Sequence, residues 1–118
     1  MSKIETFYIK QNDRQPNYTF VVKDSDGDVV NIAGATIVCT MKNVRAGTIK
    51  INRQSTGISI TDGANGEAEY QWQSGDTDTV GKYHIEFEID PVVGEKFTLP
   101  VDPKDVAEVF VVGSLDTT

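Results

Sequence analysis

The sequence is poor in the residues from which reactive and metal-binding sites are most often built. Its 118 residues include one cysteine, Cys39, and one histidine, His84. A single thiol cannot close an internal disulfide, so the fold must be stable without one, which is compatible with assembly in a reducing cytosol. The chain also lacks Cys-x-x-Cys, His-Glu-x-x-His, Gly-x-Ser-x-Gly and glycine-rich phosphate-loop motifs. We therefore predict no catalytic set, no metal site and no cofactor.

Positive charge and long apolar runs are scarce as well. The chain has 11 lysine and arginine residues against 18 aspartate and glutamate residues, which gives a net charge of -7. This is the wrong sign for a surface that follows a phosphate backbone or an anionic lipid, so neither nucleic acid nor membrane is expected as a partner. No stretch is long and apolar enough to span a bilayer, and the residues after Met1 do not form a cleaved export signal.

Leucine is almost absent, whereas β-branched residues are abundant. Leucine occurs only at Leu99 and Leu115, while valine, isoleucine and threonine together fill 36 positions. β-Branched side chains favour strands, and a chain with 38% hydrophobic residues can form a packed core. A chain of this length fits one domain, so we assign residues 1–118 to it, with 113–118 as a frayed end.

Apolar and polar residues alternate with a period of two along much of the chain, as in strands that bury one face. The alternation is clearest over residues 67–73, where it places Trp72 in the core, and over 82–90, where it places His84 in solvent. About nine strands are predicted, namely Thr6–Lys10, Tyr18–Lys23, Ala35–Lys42, Thr48–Asn52, Ile58–Thr61, Glu67–Gln73, Lys82–Asp90, Lys96–Val101 and Val106–Val112.

Glycine-containing turns such as Asp26-Gly27 and Asn65-Gly66 separate these segments at short intervals. Strands joined by tight turns are antiparallel. No window carries the apolar periodicity of a crossover helix, and the only helical element expected is a single turn over Gly75–Thr79, capped by Ser74 or Asp76. We therefore predict an all-β protein, an antiparallel β-sandwich of seven to nine strands.

Two groups of residues suggest chemistry but have simpler interpretations. Cys39 and His84 are expected on opposite faces of their strands, in the core and in solvent, so they do not form a nucleophile and its base. Asp24, Asp26 and Asp28 resemble part of a calcium loop. Their spacing does not fit an EF-hand, because Gly27 follows only two aspartates and no glutamate lies six residues further on, so a tight hairpin turn is predicted instead.

A third group consists of acidic residues on the exposed sides of two predicted strands. These residues would share one face if the two strands were neighbours, and they comprise Glu67, Glu69, Glu86, Glu88 and Asp90. A glycosidase pair of carboxylates requires a cleft and one acid with a raised pKa. A flat solvated surface provides neither, so an acidic face that opposes aggregation is the favoured interpretation.

The last predicted strand departs from the alternation, because Val109, Phe110, Val111 and Val112 place apolar groups on both of its faces. Most strands of a small sandwich have one solvated face. An apolar outer face therefore indicates either a covering loop or a contact with a partner subunit. Val109, Phe110, Val111 and Val112 are the candidate partner-binding residues.

Two patterns in the chain resemble a known fold family. The stretch Val80-Gly81-Lys82-Tyr83-His84-Ile85-Glu86-Phe87 is similar to the Gly-x-Tyr entry into a late central strand of immunoglobulin-like domains, in which the tyrosine forms a tyrosine corner. Ile85 stands where many of these domains have a cysteine, so the resemblance is to their disulfide-free members. A wider pattern joins residues 7–13, 21–37, 66–72 and 75–83. It resembles the amino-terminal immunoglobulin-like domain of tailed-phage baseplate upper proteins, over roughly Phe7 to Val112.

The resemblance implies a role in a virus particle. In that family the domain docks on other virion proteins, and a longer carboxy-terminal part carries the receptor-binding assembly. This sequence ends at Thr118, so receptor binding is not expected. A non-enzymatic docking or decoration subunit is expected instead, located in the virion, in a homo-oligomeric array, with capsid, tail or baseplate proteins as partners.

Two alternatives remain open from the sequence. One is a carbohydrate- or protein-binding immunoglobulin-like module outside a virion, with Tyr8 or Trp72 as an aromatic platform. The other is a hydrolase that uses the acidic face. Trp72 shares a face with Ala68 and Tyr70, so the alternation places it in the core.

Overall fold

The computed structural model describes residues 4–101 and 105–113, and this part of the chain contains nine strands. The predicted all-β class is confirmed, although strand bounds differ from the predicted ones by up to a few residues. The predicted end at 113–118 lies, apart from Gly113, outside the described residues. The strands are β1 (Ile4–Lys10), β2 (Tyr18–Val21), β3 (Thr36–Asn43), β4 (Ile49–Gln54), β5 (Ile58–Asp62), β6 (Glu67–Tyr70), β7 (Gly81–Asp90), β8 (Phe97–Leu99) and β9 (Val106–Val112).

The strands form two sheets. The larger has the order β1-β9-β7-β3-β4, with β8 also paired to β7, and the smaller has the order β2-β6-β5. All pairs are antiparallel except β1 and β9, which run parallel from Ile4 opposite Val106 to Lys10 opposite Val112. The predicted antiparallel pairing therefore holds for every described pair except this one. Tight turns fix the direction of consecutive strands only, and no turn joins β1 to β9.

The hydrophobic core lies between the two sheets. Ring contacts join them, since the Phe20 and Phe87 centroids are 4.0 Å apart and those of Tyr18 and Phe87 are 5.6 Å apart. Trp72 is fully buried, as predicted, although it follows β6 rather than lying within it. This arrangement of two sheets around one core is that of a β-sandwich.

Strand β7 shows how the period-two pattern creates this core. Its buried side chains are Tyr83, Ile85, Phe87 and Ile89, and the residues between them are exposed or half-buried. Because successive side chains of a strand point to opposite faces, the sequence assigns both faces of β7 correctly. The face of the larger sheet that points away from the core is called the outer face below.

Tyr83 forms the corner contact that its sequence context indicates. Its hydroxyl donates to the carbonyl of Thr79, with 2.7 Å between the oxygens, and its ring is buried. We expect Tyr83→Phe to lower the free energy of unfolding by about 1 kcal/mol, because one partly buried hydrogen bond is lost while the ring stays in place. Urea denaturation measures the change, and Tyr8→Phe, whose ring is 66% exposed, is the matched control. Equal midpoints for the two variants would contradict the assignment.

The predicted helical turn over 75–79 is not formed. Residues 74–77 make a hydrogen-bonded turn in which the Asp76 amide donates to the Gln73 carbonyl, 3.1 Å away. The Asp76 carboxylate accepts from the Gln73 amide at 2.8 Å, so it closes the turn rather than capping a helix. Within the described ranges, the one helical element is a 3₁₀ helix at Gly63–Asn65. In that part of the chain no helix is long and apolar enough to cross a membrane.

Candidate interaction surface

The predicted partner-binding segment is divided between the core and the surface. Val109 and Val111 are 0% and 1% exposed, whereas Phe110 is half-buried and Val112 is 36% exposed. Regular alternation along β9 causes this division. Val109 and Val111 are therefore core residues and cannot contact a partner through their side chains. Of the four predicted partner-binding residues, only Phe110 and Val112 have side chains on the outer face, where a partner could contact them.

Phe110 has an exposed aromatic neighbour on the outer face. Tyr8 lies opposite Phe110 across the parallel β1–β9 pair, with ring centroids 5.3 Å apart and planes inclined by 16°. On the other side Lys82 lies opposite Phe110, and its ammonium group is 6.0 Å from the ring centroid. Tyr8 keeps 66% of its surface exposed. Two stacked rings and a cation thus occupy one row across three strands.

Three aliphatic side chains extend this row. Val44 donates its amide to the carbonyl of Lys82 at 3.0 Å, Ile49 is paired with Lys42, and Val80 directly precedes β7. All three are exposed, by 42%, 55% and 51%. Because β3 pairs with β7 and β4 with β3, they lie at the same end of the outer face. We call the resulting surface the apolar patch, which comprises Tyr8, Val44, Ile49, Val80, Phe110 and Val112.

The charges around the apolar patch are mainly positive, although the chain as a whole is acidic. Lys82 pairs with the largely buried Glu108, with 2.9 Å between their charged atoms. Lys10, Lys42 and Arg45 have no carboxylate partner among the residues that the structure describes. Lys10 lies beside Val112, Lys42 lies beside Ile49, and Arg45 follows Val44 in the β3–β4 turn. The patch therefore combines apolar area with unpaired cations.

Cys39 and His84 lie on opposite faces of the larger sheet, as the alternation predicts. Cys39 is fully buried, and the side chain of His84 is 43% exposed. Burial raises the pKa of the Cys39 thiol strongly, and the nearby Asp76 carboxylate raises it further. Burial also raises the pKa of Tyr18 to about 12, with contributions from Glu5 and Cys39. A thiol in this environment stays protonated and is a poor nucleophile.

The Asp24–Asp28 segment is a hairpin turn, which confirms the structural interpretation of its sequence. Residues 23 and 29 form a bridge, and Gly27 adopts φ of 88°. The Asp24 carboxylate accepts from the amides of Asp26 and Asp28 at 2.9 and 3.0 Å. One carboxylate oxygen from each of the three aspartates lies within 4.8 Å of the others, and all three residues are exposed. The Asp24 carboxylate serves to hold the turn.

The acidic residues of β6 and β7 do not share a face. The two strands belong to different sheets, so Glu67 and Glu69 lie on the outside of the smaller sheet, and Glu86 and Glu88 on the outer face of the larger one. Glu88 is paired with Arg53 at 2.8 Å, a contact that lowers the pKa of the carboxyl group. The single acidic face that would join the carboxylates of β6 with those of β7 is therefore not formed.

A cleft of about 770 Å³ opens between β2 and the β8–β9 region. Its apolar floor includes the Phe20–Phe87 ring pair, and charged side chains such as Lys23 and Glu67 lie on its rim. No local sequence pattern predicts this cleft, because its walls come from both sheets. Pro100, Val101 and Asp105 border it on either side of residues 102–104, which lie outside the described part of the chain.

The sequence points to part of the apolar patch and misses the rest. Phe110, Val112 and Tyr8 stand out as apolar residues in strand positions, whereas Val44, Ile49 and Val80 come from separate segments that only strand pairing unites. No model of a known protein family matches the chain, and a comparison with curated proteins finds no match either. The surface is therefore the main guide to function.

Proposed function

We propose that this chain is a non-enzymatic structural component of a tailed-phage virion, an accessory, docking or decoration subunit that binds other virion proteins. The observation that carries the proposal is the apolar patch, six apolar side chains at one end of the outer face, five of them exposed and Phe110 half-buried. Contiguous exposed apolar area on a small domain marks an interaction site. The resemblance of the sequence to the amino-terminal domain of baseplate upper proteins supplies the class of partner.

The strand arrangement supports an immunoglobulin-like assignment. Strands β2, β6 and β5 have the places of B, E and D, while β3, β7 and β9 have those of C, F and G, with β4 beside C. Tyr83 at the start of β7 makes the corner hydrogen bond of such domains. Trp72 differs, because it follows β6 instead of lying on the strand that corresponds to C. Ile85 is buried at the position of the usual disulfide cysteine.

Attachment to particles tests the proposal. Particles are produced with the wild-type chain or with Phe110→Asp, and the copy number is measured by quantitative mass spectrometry against the major capsid protein. We expect Phe110→Asp to lower the copy number at least about tenfold, because a charge at the centre of an apolar contact is left unpaired. A wild-type copy number close to that of the capsid protein would indicate decoration, and a small fixed number would indicate a tail, neck or baseplate position.

Thr56→Asp is the control, since residue 56 is exposed in the β4–β5 loop, outside the apolar patch. Circular dichroism confirms that both variants are folded before particles are compared. Absence of the wild-type chain from purified particles would overturn the virion proposal. Attachment of folded Phe110→Asp at the wild-type level would exclude the apolar patch as the contact.

One observation favours a second candidate, a carbohydrate- or protein-binding module that is not part of a virion. Tyr8 and Phe110 present stacked rings to solvent, and an exposed ring is a common platform for the apolar face of a sugar. Trp72, with 0% exposure, cannot take this role. Sugar binding that depends on Tyr8, by a chain that purified particles lack, would favour this candidate.

A further inference from the structure

The exposed apolar residues are concentrated at the two ends of the sandwich. Strand β7 begins beside the apolar patch and ends at Asp90. Strand β2 runs in the same direction along the smaller sheet, because Tyr18 packs on Phe7, which is level with Tyr83 through Val109, and Phe20 packs on Phe87. At about 3.3 Å per residue, β7 spans most of the domain, whose longest dimension is 48 Å. The apolar patch therefore lies at one end of the molecule, and the β7–β8 turn and the Asp24–Asp28 hairpin lie at the other.

The far end combines exposed valines with acidic residues. Val92 and Val93, at the tip of the β7–β8 turn, are 73% and 88% exposed, and Val21 and Val29 are about half exposed. The carboxylates around them come from these two turns, from the end of β7 and from the start of β6, where Glu67 is paired with Val21. We call this surface the acidic end, which comprises Val21, Val29, Val92 and Val93 with Asp24, Asp26, Asp28, Glu67, Asp90 and Glu95.

The two ends are thus complementary. Of the nine large apolar side chains that are exposed within the described ranges, five belong to the apolar patch and four to the acidic end. Lys10, Lys42 and Arg45 border the patch and have no ion-pair partner in the described part of the chain. At the other end six carboxylates outnumber two cations, Lys23 and Lys96, and Lys96 already pairs with Glu88. Each end therefore presents exposed apolar side chains and charges opposite in sign to those of the other end, which is what a contact between the two ends requires.

We propose that copies of this chain associate head to tail, with the apolar patch of one copy on the acidic end of the next. The inference rests on the docking role of the apolar patch in the proposed function and names a second copy as its partner. A symmetric contact between two patches would bring Lys10, Lys42 and Arg45 of both copies together, while the nearby carboxylates of Glu108 and Asp78 are already paired with Lys82 and Lys50. The contact is therefore heterologous, the type that builds rings or linear arrays.

The net charge of -7 does not prevent this contact. At an ionic strength of 0.1 M, charges interact over about 10 Å, so the cations at the patch respond mainly to the carboxylates directly across the interface. The attraction is therefore local, and added salt weakens it.

Sedimentation velocity of the purified chain tests the inference without any other protein. We expect the weight-average sedimentation coefficient of the wild type to rise with concentration at low salt and to rise much less at high salt. Lys42→Glu with Arg45→Glu reverses the charge at the patch, and Asp26→Lys with Asp28→Lys reverses it at the acidic end. Each double variant is expected to associate at least about tenfold more weakly than the wild type.

Mixing the two double variants is the decisive step. The first keeps an intact acidic end and the second an intact apolar patch, and the two reversed ends are again opposite in charge, so the mixture is expected to form mixed complexes, heterodimers or longer, that neither variant forms alone. Glu86→Lys, which changes an exposed charge midway along the outer face, is the control and should associate like the wild type. Near-ultraviolet circular dichroism verifies that every variant keeps the native fold.

The outcomes separate this inference from the proposed function. A wild-type chain that stays monomeric at every concentration, or a mixture that forms no mixed complex, would overturn head-to-tail association. If such a chain were still incorporated into particles, the virion proposal would stand. The partner that binds the apolar patch would then be a different, acidic virion protein. Self-association by a chain absent from particles would retain the inference and remove the virion role.

Discussion

Trp72→Ala is expected to lower the free energy of unfolding by about 4 kcal/mol. The indole is fully buried and contacts the rings of Phe7, Tyr18 and Tyr70, with centroids 5.4 to 6.4 Å away. Its Nε1 donates to the carbonyl of Pro16 at 3.0 Å. Truncation therefore leaves a large cavity at the junction of the two sheets and an unpaired carbonyl. Because a domain of this size has a total stability of about 5–15 kcal/mol, much of the margin would be lost.

Guanidinium denaturation followed by far-ultraviolet circular dichroism measures this change without relying on the indole as the probe. Tyr8→Ala is the matched control, since it also removes an aromatic ring but one that is 66% exposed, and it is expected to cost less than about 1 kcal/mol. Particle attachment should reverse this order. Tyr8→Ala keeps most of its stability but removes a ring of the apolar patch, so it is expected to attach poorly. Similar unfolding midpoints for both would show that Trp72 does not anchor the core.

Asp76→Ala is expected to have the second largest effect, a loss of about 3 kcal/mol. The carboxylate is 7% exposed and accepts from the hydroxyl of Tyr70 and the amide of Gln73. Burial, followed by the hydrogen bond to Asp76 and its charge, raises the pKa of Tyr70, so the phenol remains a donor at every ordinary pH. Removing the acceptor leaves a buried hydroxyl and a buried amide without this partner and releases the turn at 74–77.

Asp78→Ala is the control in the same turn. Its carboxylate pairs with Lys50 but is half exposed, so its loss is expected to cost less than about 1 kcal/mol. A double-mutant cycle with Tyr70→Phe isolates the Tyr70–Asp76 contact. The separate effects of the two substitutions cancel in the cycle, and the coupling free energy between the two residues remains. Equal stabilities of Asp76→Ala and Asp78→Ala, or a coupling near zero, would contradict the structural role of Asp76.

The fold was predictable wherever local pattern determines structure. In β7 the alternation identifies both faces, and the predicted bounds of β9 agree with the observed Val106–Val112. The β1–β9 pair was not predictable, because contacts between residues 102 positions apart, such as Ile4 and Val106, leave no local signal. For the same reason the sequence could not show that the acidic residues of β6 and β7 lie on different sheets.

The interaction surface was predictable only in part. Periodicity marks Phe110 and Val112 as apolar residues in a strand, but a run of four apolar residues does not show which of them face the core. The strand register decides this and buries Val109 and Val111. The remaining members of the apolar patch depend on pairing between β3, β4 and β7, which period-two patterns do not encode.

The parallel β1–β9 pair has a mechanical consequence. Because the two strands run in the same direction, Ile4 and Val112 lie at opposite ends of a ladder of seven paired residues. A force that pulls these two points apart acts along the strands and loads the ladder in shear, so its hydrogen bonds must fail together rather than one after another. The domain is therefore built to transmit tension along its length, in the direction in which successive copies would be joined.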